Sequence, residues 1–159
     1  ATSLAGDLQR VVTVPLIMKA LWPYWRSMTN PLQVVGPTEF VDRDHNLATV
    51  VNGGDVDCWP EIIVTGYAEG IEARNLTTGE GWRIRRILDA GDVLRIDTDP
   101  RSFGVWVNDV EDYTAADPVS EWWPLVPGDN LIWLRGNTAT GDEPIGGFEI
   151  RYRENFETP

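Results

Sequence analysis

Phe148-Glu-Ile-Arg-Tyr-Arg153 alternates apolar and charged side chains without a break. Successive side chains of an extended chain point to opposite faces, so this stretch reads as an antiparallel strand with one face buried and one wet. The same period of two runs outward from it. Trp82 and Ile84 alternate with Arg83 and Arg85, and Leu94 and Ile96 with Arg95 and Asp97. Asn130-Leu-Ile-Trp-Leu-Arg135 is apolar on both faces, which marks a central strand, and Trp82 and Trp133 are expected to be packed core residues. Further strands are expected over 10–16, 46–51, 61–65, 71–76 and 104–108, about nine in all. Asn52-Gly-Gly-Asp55, Asp89-Ala-Gly-Asp92, Pro127-Gly-Asp129 and Thr140-Gly-Asp142 supply turn chemistry between them. Gly91-Asp-Val-Leu94 and Gly128-Asp-Asn-Leu131 look alike because each is a turn entering a strand. The best helical segment, Trp22 to Met28, lacks a strong cap and sustained 3.6 periodicity, so it amounts to a turn or two at most. The expected fold class is an all-β antiparallel β-sandwich with little helix.

At 159 residues the chain suits one domain, spanning 1–159 with its core over about 7–155. It opens on Ala1, which fits methionine removal or a domain cut from a longer polypeptide. The net charge is −12, from 25 acidic residues against 13 basic ones. A field of that sign repels phosphate backbones and anionic lipid, so neither nucleic acid nor membrane is an expected partner. Lys19 is the lone lysine among the basic residues, and the arginine bias suits a GC-rich bacterial or phage genome. One cysteine, Cys58, cannot form an internal disulfide, and one thiol with one histidine makes no structural zinc site. Stability is expected from packing alone, with no cofactor.

Eight tryptophans stand out in a chain of this size. Aromatic side chains exposed on an all-β domain stack on sugar rings or anchor a protein partner. The candidates for such contacts are Trp22, Tyr24 and Trp25 in one cluster and Trp122 with Trp123 in another. Adjacent strand residues face opposite ways, so only one of Trp122 and Trp123 is expected to enter the same core. Asp55-Val-Asp57 and Asp97-Thr-Asp99 offer oxygen ligands, but neither continues as a calcium loop, and paired aspartates are ordinary turn chemistry. Nothing around Cys58 or His45 resembles a nucleophile with its base; Cys58 reads as a buried apolar residue and His45 as a loop residue. GxSxG, HExxH and P-loop motifs are absent from the sequence, and no enzymatic activity is expected.

Several strings in this chain resemble one family. They are Asn52-Gly-Gly-Asp-Val-Asp-Cys-Trp-Pro-Glu-Ile-Ile-Val-Thr-Gly66, Ile71-Glu-Ala-Arg-Asn-Leu-Thr-Thr-Gly79, Leu88-Asp-Ala-Gly-Asp-Val-Leu-Arg-Ile-Asp-Thr98 and Trp123-Pro-Leu-Val-Pro-Gly-Asp-Asn-Leu-Ile132. In this order they are similar to the C-terminal domain of siphovirus-type tail components, the family that includes the distal tail proteins of long-tailed bacteriophages. The resemblance implies a galectin-like, jelly-roll-type sandwich in a structural virion component at the tail tip, joining tail tube to baseplate or fibres after assembly in the host cytoplasm. It implies tail-tip or baseplate subunits as partners and a homo-hexameric ring. Distal tail proteins also carry an N-terminal belt domain for which this chain has no room, so the chain is expected to be either the second domain of a longer protein or a stand-alone relative. Outward arginines, Arg83, Arg85, Arg151 and Arg153, offer planar bidentate donors to acidic faces of neighbouring subunits, or simply form solvated strand faces. The alternative reading is a carbohydrate-binding module that stacks host-surface glycan on exposed Trp and Tyr.

Overall fold

The computed structural model describes residues 25–26, 32–39, 46–137 and 146–157. The expected strand over 10–16, Trp22, Tyr24, His45 and the turn at Thr140 to Asp142 lie outside these residues. In chain order the strands are β1 (Trp25–Arg26), β2 (Gln33–Glu39), β3 (Asn46–Asn52), β4 (Glu61–Thr65), β5 (Glu69–Asn75), β6 (Gly81–Arg83), β7 (Val93–Asp97), β8 (Gly104–Val107), β9 (Val110–Glu111), β10 (Gly128–Asn137), β11 (Gly147–Tyr152) and β12 (Asn155–Phe156). The helix among the described residues is a single 3-10 turn at Tyr113–Ala115. The expected helical turn at Trp22 to Met28 is corrected in its middle, where Trp25 and Arg26 pair in extended form with Phe156 and Asn155.

All strand pairs are antiparallel. A four-stranded sheet has the order β3-β10-β5-β6, a six-stranded sheet the order β2-β11-β4-β7-β8-β9, and β1 with β12 forms a short ribbon. The period-two sequence decides which face closes. In β11, Phe148, Ile150 and Tyr152 are buried while Glu149 and Arg151 stay half-buried on the other side. Ile62 and Val64 in β4 and Leu94 and Ile96 in β7 follow the same rule, and the register sets Ile62 opposite Ile96 and Val64 opposite Leu94. Opposing them from the four-stranded sheet are Val50, Ile71, Ala73, Ile132 and Leu134, all in one core cluster. Burying each large aliphatic side chain of this set contributes about 1.5–3 kcal/mol. A polar tie crosses between the sheets, from the Tyr152 hydroxyl to the Val51 carbonyl at 2.7 Å.

The turns follow the Gly and Asp signals. Gly91 and Gly128 both adopt positive φ, 94° and 90°, as the chain enters β7 and β10, which is the shared role expected of the two similar segments. Asn108 and Asp109 take φ of 51° and 62° and close β8 on β9 as a two-residue hairpin. Positive φ at both central residues is the mark of the type I′ hairpin turn, and Asn and Asp tolerate it. Gly54 has a different duty. A Cβ there would lie 2.3 Å from the Asn155 backbone oxygen, so only glycine allows the β3–β4 connection to pass this close to β12.

Candidate functional site

The core explains which residues remain outside for contact. β10 is central in its sheet, as expected, but only one of its faces is covered. Asn130, Ile132 and Leu134 are buried, whereas Leu131 and Arg135 are exposed and Trp133 is half-buried. The assignment of Trp133 to the core is therefore corrected: it is one residue out of phase with Ile132 and Leu134 and lies on the outer face.

Cross-strand register arranges that outer face in rows. Trp133 stands between Leu47 of β3 and Arg74 of β5, and Arg74 in turn lies opposite Gly81 of β6. The next row runs Arg135, Glu72, Arg83 across β10, β5 and β6. Arg74 folds across Gly81, where a Cβ would come within 2.7 Å of its Cγ. Glu72 accepts from Arg74 Nε at 3.2 Å and from Arg83 Nη2 at 3.3 Å. Its carboxylate is nearly buried beneath two guanidinium groups that remain more than half exposed. On the apolar side of the rows, Leu47, Val51 and Leu131 are exposed by 55%, 50% and 39%.

The outer edge of β6 is taken by the segment 116–121. Asp117 N–H donates to the Arg83 carbonyl, Glu121 N–H to that of Gly81, and Arg83 N–H to Ser120 Oγ. A cavity of about 140 Å³ opens where this segment meets the sheet, lined by Glu72, Arg74, Gly81, Trp82, Arg83 and Ser120 among others. Asp117 at its rim receives the Val119 backbone N–H and the Arg85 guanidinium, which together hold its carboxyl below the ordinary aspartate range. Asp92 is lowered by Asn108, then the Asp89 N–H, and Asp112 by Thr114, then Arg86. Each of these carboxyls is pushed toward permanent charge, the opposite direction from a poised general acid.

Beyond this segment the chain turns inward. Trp123 is completely buried, which removes it as a contact residue. Trp122 is half-buried: it stacks on Trp82 at 5.8 Å between centroids and leans on Phe103 at 4.8 Å. The pair thus splits as the alternation requires, but Trp122 serves mainly to cap the core. Trp82 is buried as expected, and Cys58 is fully buried. Trp25 contributes backbone to β1.

The arginines singled out from the sequence are not brought together. Arg83 belongs to the outer face of the four-stranded sheet, and exposed Arg85 binds Asp117 at 3.1 Å. Arg151 lies on the outer face of the six-stranded sheet, held by Glu149 and 4.0 Å from Glu61. Arg153 is exposed between β11 and β12. On that second face Glu61 also meets Arg95 at 3.4 Å, and the Arg95 guanidinium lies 3.7 Å over the Trp106 ring. Sequence reasoning missed Arg74, Arg135, Glu72 and the exposed row of Leu47, Val51 and Leu131. Their alternation was readable, but which strands neighbour one another is a matter of sheet order.

Residues 53–156 match the model of a family described as the siphovirus-type tail component, C-terminal domain. The match takes in β4 to β12, and so most of both sheets and the strap along β6. No curated protein and no solved structure matches the chain.

Proposed function

The chain belongs to the siphovirus-type tail component family, and from that membership we propose that it is a tail-tip adaptor, joining the tail tube of a long-tailed bacteriophage to its baseplate or fibres. Its work is geometric attachment rather than catalysis. The observation that carries this reading is the extent of the family match, which takes in most of both sheets, β4 to β12, rather than one strand or turn. A β-sandwich with a continuous apolar core holds its surface rows in fixed relation, which suits a part that must present the same contacts in every copy. We further propose that it works as a homo-hexameric ring, at the virion tail tip, after assembly in the host cytoplasm.

The deciding experiment is localisation in purified particles. Antibody against the chain, or density fitted with this sandwich, is expected at the distal end of the tail in six copies. A chain missing from particles, or found in the capsid, overturns the proposal. Stacking of host glycan finds less support: Trp123 is wholly buried and half-buried Trp122 is engaged by Trp82 and Phe103.

A further inference from the structure

We infer that Asn52-Gly53 is a self-modification site, at which the chain loses ammonia to give aspartate and isoaspartate, and that Glu154 is the latch that holds this reaction off in the folded protein.

Of the chain's asparagines only Asn52 precedes glycine. Such a pair is chemically labile, because a following residue without a side chain leaves its backbone nitrogen free to approach the asparagine carboxamide. The Gly53 nitrogen gives up its proton and attacks Asn52 Cγ, the Cγ–Nδ2 bond breaks, and Nδ2 takes up a proton and departs as ammonia. Water then opens the five-membered imide at either of its carbonyls.

The fold opposes the first steps. Gly53 N–H donates to Glu154 Oε1 at 3.0 Å. A carboxylate that binds the protonated nitrogen, and carries the same sign as the anion that must form, disfavours loss of the proton. Glu154 also packs over the glycine, where a Cβ would lie 2.8 Å from the same oxygen. Asn52 Nδ2 donates to the Val56 carbonyl at 3.0 Å and to the Leu125 carbonyl at 2.9 Å. Carbonyl oxygens only accept, so neither supplies the proton that the departing nitrogen requires. Asn52 is 1% exposed, which keeps water from supplying it. Gly54 N–H, 3.0 Å from Asn52 Oδ1, acts the other way, since a donor there stabilises the oxygen anion of the tetrahedral intermediate. Restraint at the nucleophile therefore falls to Glu154, which reaches the turn from the connection between β11 and β12.

Refolding cannot reverse the change. Aspartate at position 52 donates to neither carbonyl and brings a second carboxylate to the turn that Glu154 contacts. Isoaspartate also adds its Cβ to the main chain, at the β3–β10 pair Asn52 with Gly128 and just before Gly54 passes closest to Asn155. The register at that end of the sheet is lost with it.

The test incubates the purified full chain in mildly alkaline buffer, with and without unfolding urea, and follows ammonia release and isoaspartate by peptide mapping. Folded wild type is expected to react at Asn52 at least tenfold more slowly than the unfolded chain. Glu154→Ala, shown by thermal melting to be folded, is expected to react several-fold faster than folded wild type. Glu154→Gln, which keeps an acceptor without the charge, should fall between the two. Folded wild type that reacts as fast as the unfolded chain overturns the protection, and Glu154→Ala that matches wild type overturns the latch. A slower reaction in either variant makes Glu154 the base that draws the proton from Gly53, which overturns the inference as well. Where Glu154→Ala does not fold, Glu154→Gln decides: faster than wild type upholds the latch, equal or slower overturns it. Asn52→Asp, which installs one product directly, is expected to melt below wild type, and an unchanged melt overturns the damage assigned to the sheet end.

Discussion

Asn75 donates its side-chain N–H to the carboxamide oxygen of Asn130 across 3.1 Å, and both residues are fully buried. Asn130 also accepts from Val126 N–H and donates to the carbonyls of Val126 and Gly128, so every hydrogen-bonding position of its amide is used. Asn75 donates to the Pro124 carbonyl, and Asn52 to those of Val56 and Leu125. The ends of β3, β5 and β10 are thereby braced against the segment 124–127, which carries no regular structure of its own beyond the Cys58–Leu125 bridge.

Asn130→Ala is expected to lower stability by about 2–3 kcal/mol, because buried partners on both strands and loop are left unpaired. Asn130→Asp is expected to cost more at neutral pH, since a carboxylate donates to neither carbonyl and brings a charge into the core. Urea midpoints of the two variants check this, and a loss under 0.5 kcal/mol (order-of-magnitude threshold) for Asn130→Asp refutes the brace.

Trp122→Ala is expected to destabilise by about 3 kcal/mol, through lost area and the lost stacks on Trp82 and Phe103. Near-UV circular dichroism follows it independently: coupling between the Trp82 and Trp122 rings disappears in the variant. Trp133→Ala, at a half-buried outer position, is expected to change both signals less.

Acid should weaken the fold through Asp92, Asp112 and Asp117. Their folded-state pKa values are depressed, so the stability they contribute is present above the unfolded value near about 4 and is lost as pH falls through the folded values. Urea midpoints are expected to stay level from about pH 7 to 5 and to fall below about pH 4. Replacing the three aspartates with Asn should flatten that fall; an unchanged acid limb means other carboxyls carry it.

Alkali acts on Tyr152. Burial, then the neighbouring Cys58 and Glu154 charges, push its hydroxyl up, so its contribution is complete below the unfolded value near about 10 and is lost as pH rises through the folded one. Tyr152→Phe is expected to cost about 1 kcal/mol at neutral pH by removing the tie to the Val51 carbonyl. It should also reduce the further loss of stability above about pH 10 relative to wild type.

Much of this architecture was legible in particular residues. The alternation in Phe148–Tyr152, Ile62–Val64 and Leu94–Ile96 named the buried side of each strand, since a period of two leaves no choice once one face is apolar. Gly91 and Gly128 were readable as turn entries because positive φ excludes most other residues. β1, β2, β9 and β12 were not foreseen: three of them hold only two residues, too few for any period to show.

The sequence by itself determined the all-β class, the inward side of the main strands and the family to which the chain belongs, because local alternation and turn chemistry are properties of neighbours along the chain. Only the tertiary structure decided that Trp133 faces out while Trp123 is sealed in, that Asn52, Asn75, Asn130 and Asn155 are buried, and that Arg74, Arg83 and Arg135 share one face with Leu47 and Val51. Those facts depend on which strands lie side by side and which sheet faces are covered. Pairings between residues far apart in the chain set both, and no local pattern encodes them.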